Sequence, residues 1–330
     1  DIIFATAWFT AKVVRDCNSK AVKAYFIQDF EALFNPMGDG YILACNSYGY
    51  GLKPVTIGRW LSHKMQTEYR TPSRYFDFCA DRRIYRPLPE AKKEHAICFV
   101  YQPDKPRRCS VLGIEALGIV KFLRPDVKIY LYGSNIKGNV WFEHENLGII
   151  PLDQCNALYN KCEVGLCISS SNPSRIPFEM MAAGLPVVDL YMENNFYDMP
   201  NEGVRLAHTT PESIAQALIE ILDHKETAAE MSEAGKRYMA DKDLEHGFEQ
   251  FYEAVSDMAA RREPAEPAVY DRSYTRPAVS ADVVMDEKLA EQSYAPPVIV
   301  DNSLFGRLKR VGFIRKSKLL RKLWYKLRGL

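Results

Sequence analysis

Short, uninterrupted apolar runs recur along this chain with helix-length segments between them, and that alternation limits the possible folds more than any other feature. The runs at residues 2–5, 24–27, 55–58 and 75–78 are separated by helix-length or Gly/Pro-rich stretches. The rhythm restarts at 96–101 and continues at 128–132, 147–150, 164–168 and 186–190. Strands that are apolar on both faces belong to parallel sheets covered by helices on each side, so an α/β fold with parallel sheets is predicted.

Pro87 and Pro89, followed by a charged cluster, mark a boundary between two such units. A chain of 330 residues with 47% hydrophobic and 26% charged residues has material for two medium cores. The expected organisation is a first domain over residues 1–80, a second over 81–258, a poorly ordered linker over 259–302 and a terminal helix over 303–330. The chain opens at Asp1 directly in a strand-like run, which suggests that part of the first domain is missing.

Helical spacing in the second domain is clearest at 108–123, where Val111, Leu112, Ala116, Ile119, Val120 and Leu123 are predicted to share a buried face. Segments 157–160 and 177–183 read as helical. Thr210 is placed to cap a helix with Pro211 in its first turn and Ile214, Leu218, Ile221 and Leu222 as its buried stripe. A helix over 248–258 closes the folded part, and the Pro/Ala/Glu-rich stretch after it lacks periodicity.

The most informative stretch is 164–188, a buried strand feeding a loop of small polar residues and then a short helix. Backbone N–H groups at such a helix start can bind an anion, and the loop is of a kind that holds a diphosphate. Glu179, in the first turn, is favoured by the helix dipole and can accept hydrogen bonds from ribose hydroxyls. The plain alternative is an ordinary strand–loop–helix in which Glu179 only compensates the dipole.

The run "PFEMMAAGLPVV", preceded by "LYNKCEVGLCISSS", resembles the nucleotide-sugar signature of retaining GT-B glycosyltransferases of the glycosyltransferase family 4 type. Three further segments agree in order and spacing: "FDFCADRRIYRP", "AICFVYQPDKPRRCSVLGIEAL" and "VKIYLYGS". The similarity covers roughly residues 1–225. The runs "ATAWFTA", "YFIQDFEALFNPMG" and "YQPDKPRR" resemble the bacterial rhamnosyltransferases of rhamnan and related surface polysaccharides. The resemblance implies a GT-B fold, two Rossmann-like domains facing a cleft with the N-terminal one incomplete. It also implies transfer of L-rhamnose from dTDP-L-rhamnose to a polysaccharide or lipid-linked acceptor, with retention and without a metal or other cofactor. A non-catalytic nucleotide-sugar-binding or scaffold protein is the alternative.

In that pattern Gln102, Gly133, Ser170, Ser171, Arg175 and Glu179 bind the donor. Arg107 and Arg108 neutralise its diphosphate, a task suited to the planar guanidinium fork. Two positions depart from the family. Ser171 stands where an acidic residue is usual, and Gln102 where a cation is usual. Asp29 is a candidate to orient or deprotonate the acceptor, or else a structural cap at a strand end. Trp8 and Thr10 are candidates to border the cleft.

Asp241-Lys242-Asp243 is the one Asp-x-Asp string, and it reads as solvated surface rather than a metal site. The six histidines form no ligand-spaced pair, and the eight cysteines form no CxxC pair and fit a reducing cytosol. Ten Lys and Arg residues crowd the last thirty positions among regularly spaced leucines. That pattern predicts a cationic amphipathic helix lying on an anionic membrane rather than on nucleic acid. The expected location is cytoplasmic and peripheral to the inner face of the membrane.

Overall fold

The computed structural model describes residues 1–136, 138–264 and 269–281. The helix expected at 303–330 and much of the linker expected at 259–302 lie outside them.

The first sheet is formed by β1 (Ile2–Ala5), β2 (Val22–Ile27), β3 (Lys53–Ile57) and β4 (Arg74–Phe76). All pair in parallel in chain order. Helices α1 (Trp8–Asp16), α2 (Asp39–Tyr48) and α3 (Arg59–Tyr69) connect them. Side chains alternate across β2 as a strand requires. Tyr25 and Ile27 enter the core that also holds Ala11, Ala44 and Leu61 of the connecting helices. Ala24 faces the opposite way.

The second sheet contains β5 (Ala96–Val100), β6 (Lys128–Tyr132), β7 (Glu145–Asn146), β8 (Val164–Leu166), β9 (Val187–Leu190) and β10 (Val204–Ala207). The order across it is β10-β9-β8-β5-β6-β7, all parallel. The chain runs outward from β5 to β7, returns to β8, and runs outward the other way. Between β5 and β8 the direction of winding therefore reverses. The helices are α4 (Ser110–Leu123), α5 (Leu152–Lys161), α6 (Ile176–Ala182), α7 (Glu193–Phe196), α8 (Pro211–Asp223) and α9 (Lys225–Tyr238). Helices α4 and α8 cover one face, over Ile97, Phe99, Leu131, Leu166 and Val188. Helices α5 and α6 cover the other, over Cys98, Val100 and Tyr132. Gly165 lets α6 lie close to β8: a Cβ there would stand 2.5 Å from Met180 Sδ.

Helix α10 (Leu244–Ala259), the last among the described residues, follows the second domain in sequence but packs on the first sheet, where Ala254 and Met258 meet Ala24 and Val55. Asp243 caps it, its Oδ1 accepting from His246 N at 2.9 Å. The cap expected at Thr210 is present, Oγ1 accepting from Ser213 N at 3.4 Å, and all four stripe residues of α8 are buried.

Three expectations are corrected. Val111 is 57% exposed while Ile114 and Leu117 are buried. Cys109 adopts a left-handed conformation after a 3-10 turn over Pro106–Arg108, so α4 starts only at Ser110 with Val111 in its first turn, while Ala116, Ile119 and Val120 of the expected face are buried. The strand expected at 147–150 is instead β7, which ends before Gly148, a residue at φ +67°. Residues 269–281, expected within a poorly ordered linker, pack on both domains. Tyr270 N donates to His63 Nδ1, Tyr274 is 2% exposed, and Val279 bridges Ala207 at the free edge of β10. The buried Tyr274, the half-buried Tyr270 and a covered sheet edge give this segment the apolar anchorage that its Pro-rich composition conceals.

Candidate functional site

In open α/β sheets the crevice outside the carboxyl ends of the strands, at the point where winding reverses, is where ligands bind. Here that point lies between β5 and β8. The turn after β5 carries Gln102, Arg107 and Arg108; the loop after β8 carries Ser170 and Ser171.

The two segments are tied together. Ser170 N and Ser170 Oγ both donate to Arg107 O, at 2.9 and 3.3 Å. The first domain supplies the facing wall through Asp29, which follows β2. Ser171 Oγ donates to Asp29 Oδ2 at 3.2 Å, Arg107 Nε stands 4.0 Å from the same oxygen, and Asn172 Nδ2 donates to Gln28 O at 3.0 Å. The Arg107 guanidinium lies over the Phe34 ring, 4.3 Å from its centroid. Burial pushes the Asp29 carboxyl up to about 6, against the opposing pull of the Ser171 hydroxyl and the Arg107 charge. Burial also lowers the Arg107 pKa.

The buried side-chain atoms without a hydrogen-bond partner gather here. Asp29 Oδ1, Gln102 Oε1, Arg108 Nε and Nη1, Asn172 Oδ1 and Asp189 Oδ2 belong to these loops or to the strand ends beneath them, Ser110 Oγ and Asn194 Oδ1 to the helices α4 and α7, and Gln66 Oε1 to α3, among the described residues. Buried polar groups are nearly always paired, so such a concentration marks a place built to face a polar ligand or water. Gln102 Nε2 reaches across to Gly133 O at 3.2 Å. Gly133, at φ +101°, occupies a conformation that disfavours any side chain, and its missing Cβ leaves the end of β6 open beside Gln102.

Glu179 is half-buried in the first turn of α6. Burial raises its pKa, while Arg175 and a hydrogen bond from Tyr85 oppose the rise. Cys167 is fully buried, and burial pushes its thiol pKa up.

Arg175 does not converge with Arg107 and Arg108. It is exposed, acts on Asp81 and Glu179, and lines a separate apolar cavity with Phe26, Cys79, Phe248 and Phe251. The free amides expected at the start of α6 are also absent. Ile176 N donates to Ser174 Oγ, Pro177 has no N–H, and Phe178 N and Glu179 N donate to Arg175 O. Thr10 is occupied in capping α1, accepting from Ala7 N at 3.1 Å, and Trp8 packs against the first core. Among the described residues no group of His, Cys, Asp and Glu is arranged to hold a metal ion. Asp241 is 78% exposed.

Reading the sequence missed Asp189, Asn172, Asn194 and Ser110. A signal was present for Asp189, a single charged residue inside the apolar run 186–190, because a buried carboxylate is rarely placed without function or pairing.

The architecture is that of GT-B glycosyltransferases, two parallel-sheet domains with the last helix returning to the first. The structure is similar to sucrose-phosphate synthase (tll1590) from Thermosynechococcus elongatus, with TM-score 0.63 at 13% identity over 79% of this chain and 74% of that one. It is also similar to Anabaena Alr3699/HepE in complex with UDP and glucose, with TM-score 0.61 at 15% identity over 78% of this chain and 77% of that one. Residues 95–219 match the family model described as WsaF, C-terminal domain. A curated relative, the O-antigen biosynthesis protein RfbC of Myxococcus xanthus, is 30% identical over 229 residues, 66% of this chain. The chain spans 18% of the length of that relative.

Proposed function

We propose that this chain is the donor-binding part of a glycosyltransferase of O-antigen or related surface-polysaccharide assembly. The observation that carries the reading is the gathering of unpartnered buried polar atoms, two of them on Arg108, at the point where the second sheet reverses its winding, with the Asp29 carboxylate opposite. The names of the matched relatives and the fold agree with it.

The donor is a nucleoside diphosphate sugar, dTDP-L-rhamnose on the motif similarity, and the acceptor a polysaccharide or lipid-linked glycan. Glu179 holds the ribose, and Gln102, Gly133 and Ser171 line the path of the diphosphate and sugar. The bond from the anomeric carbon to the β-phosphate oxygen breaks with its electron pair on phosphate. The acceptor oxygen forms the new bond on the same face, with retention, and its proton passes to the leaving phosphate. Arg107 and Arg108 stabilise the charge that develops on that phosphate, which is where fixed positive groups have most effect. Asp29 orients the acceptor hydroxyl. No metal is assigned a role. The basic segment 303–330 anchors the chain to an anionic membrane on its cytoplasmic face, which co-sedimentation with phosphatidylserine vesicles tests.

Calorimetric titration with dTDP, UDP and their sugars tests the reading. One nucleotide should bind in the micromolar range, and Glu179→Ala and Arg107→Ala should each weaken it at least tenfold. Unchanged affinity in both variants removes the site assignment.

A further inference from the structure

Phe34 is 39% exposed, yet the 3-10 turn that carries it, Glu31–Phe34, stands on a fixed base. Glu31 and Ala32 are buried. Glu31 N donates to the Tyr48 hydroxyl at 2.8 Å, and the Glu31 carboxylate accepts from Trp8 N at 2.6 Å at the start of α1. Asn35 closes the turn, its N donating to Ala32 O at 3.2 Å and its Nδ2 to Glu31 O at 3.3 Å. The turn follows Asp29 on the same loop of the first domain and meets the turn Pro106–Arg108 of the second. The Arg107 guanidinium lies over the Phe34 ring, 4.3 Å from its centroid.

Arg107 is held at both ends. Its backbone carbonyl accepts from Ser170 N and Ser170 Oγ within the second domain, while its guanidinium reaches the first. Asp29 Oδ2 stands 4.0 Å from Nε, beyond hydrogen-bond distance, and among the described residues the guanidinium donates no hydrogen bond. A cation over an aromatic ring is bound by the face of the ring, so the N–H donors in the guanidinium plane stay available. We propose that Phe34 is a positioning residue for donor binding: its ring, carried by the first domain, holds the Arg107 guanidinium of the second in place and leaves its N–H groups free to bond the oxygens of a diphosphate. The inference rests on reading the crevice as the diphosphate site. It gives the first domain a part in holding the donor, and it accounts for an exposed aromatic ring on a turn whose base is buried and hydrogen-bonded.

Calorimetry on the whole chain tests the role, with whichever of dTDP and UDP the unaltered chain binds. Phe34→Leu, which keeps an apolar side chain and removes the ring, should weaken binding about fivefold, as for a partly exposed pair of cation and ring. Phe34→Tyr, which keeps the ring, should bind as the wild type does. In an Arg107→Ala background Phe34→Leu should add no further loss, because the two residues act through one contact. The turn is held by Glu31, Ala32 and Asn35, so each Phe34 variant should keep the wild-type circular dichroism spectrum. Unchanged affinity in Phe34→Leu overturns the proposal. So does a loss that persists in the Arg107→Ala background, which would mean that the ring touches the nucleotide itself. Should the unaltered chain bind neither nucleotide, the functional reading falls and this role with it, whereas binding that is indifferent to Phe34 leaves that reading standing.

Discussion

The two domains touch at two aspartates, Asp198 buried and Asp29 half-buried, that titrate alike and are equipped differently. At the hinge, Asp198 of the second domain caps α3 of the first. Its oxygens accept from Arg59 N at 2.7 Å and Trp60 N at 3.1 Å, beside the parallel rings of Phe78 and Phe178 at 4.6 Å. At the cleft, Asp29 of the first domain meets the second through one hydroxyl and a guanidinium 4.0 Å away, and one of its oxygens has no partner. Burial pushes both carboxyls up to about 6. Burial and a displaced pKa therefore do not separate a structural carboxylate from a functional one. Unused hydrogen-bonding capacity does, because a saturated group has nothing left to offer a ligand.

The sharpest way to break this contrast is Asp29→Asn. Transfer should fall by about two orders of magnitude, the cost of losing the orientation of a reacting group, while the urea midpoint stays level or rises. A loss of activity no larger than that of Asp198→Asn would erase the distinction.

Asp198→Ala should do the reverse. It strips the cap from α3 and leaves two buried N–H groups unpaired, at a cost of about 2 kcal/mol. Chemical denaturation should show that loss, with nucleotide affinity in the remaining folded protein unchanged.

A smaller effect follows from pH. Both carboxyls have folded-state values raised above those of the unfolded chain, so between about pH 4 and 6 the folded protein holds protons that the unfolded chain has released. Their contribution to stability is complete below that window and lost as pH rises through it. Asp29→Asn and Asp198→Asn should therefore each change in stability relative to the wild type in the favourable direction between pH 4 and 7. Only Asp29→Asn should also remove an acid limb near pH 6 from the transfer rate.

The smallest change is expected at Arg175. It is exposed, so Arg175→Ala should alter nucleotide affinity by less than about threefold, as for a solvent-screened charge. A tenfold loss by calorimetry would place its guanidinium in the crevice after all.

Much of this was legible in the chain itself. The apolar runs announced both parallel sheets, because a strand buried on two faces has little alternative to continuous hydrophobicity. Thr210 and Pro211 marked the start of α8, and Ser171, Arg107, Arg108 and Asp29 were each singled out. Phase errors came where local geometry intervened. Helix α4 begins only after the left-handed Cys109, and Val111 in its first turn faces solvent. Tyr274 is buried and Tyr270 half-buried in a segment whose composition reads as loose, because a few anchors suffice when the surfaces that receive them are already built.

The sequence by itself determined the elements, their order and the residue types at the loop after β8, since periodicity, caps and turn chemistry act over a few residues. Only the tertiary structure decided that Asp29 meets Ser171, 142 positions away, that α10 returns to the first sheet, that Asp198 caps a helix of the other domain, and that Arg175 is exposed beside the cavity of Phe26, Phe248 and Phe251. Those outcomes depend on strand order and on which polar atoms run out of partners, and neither is written in any local stretch of the chain.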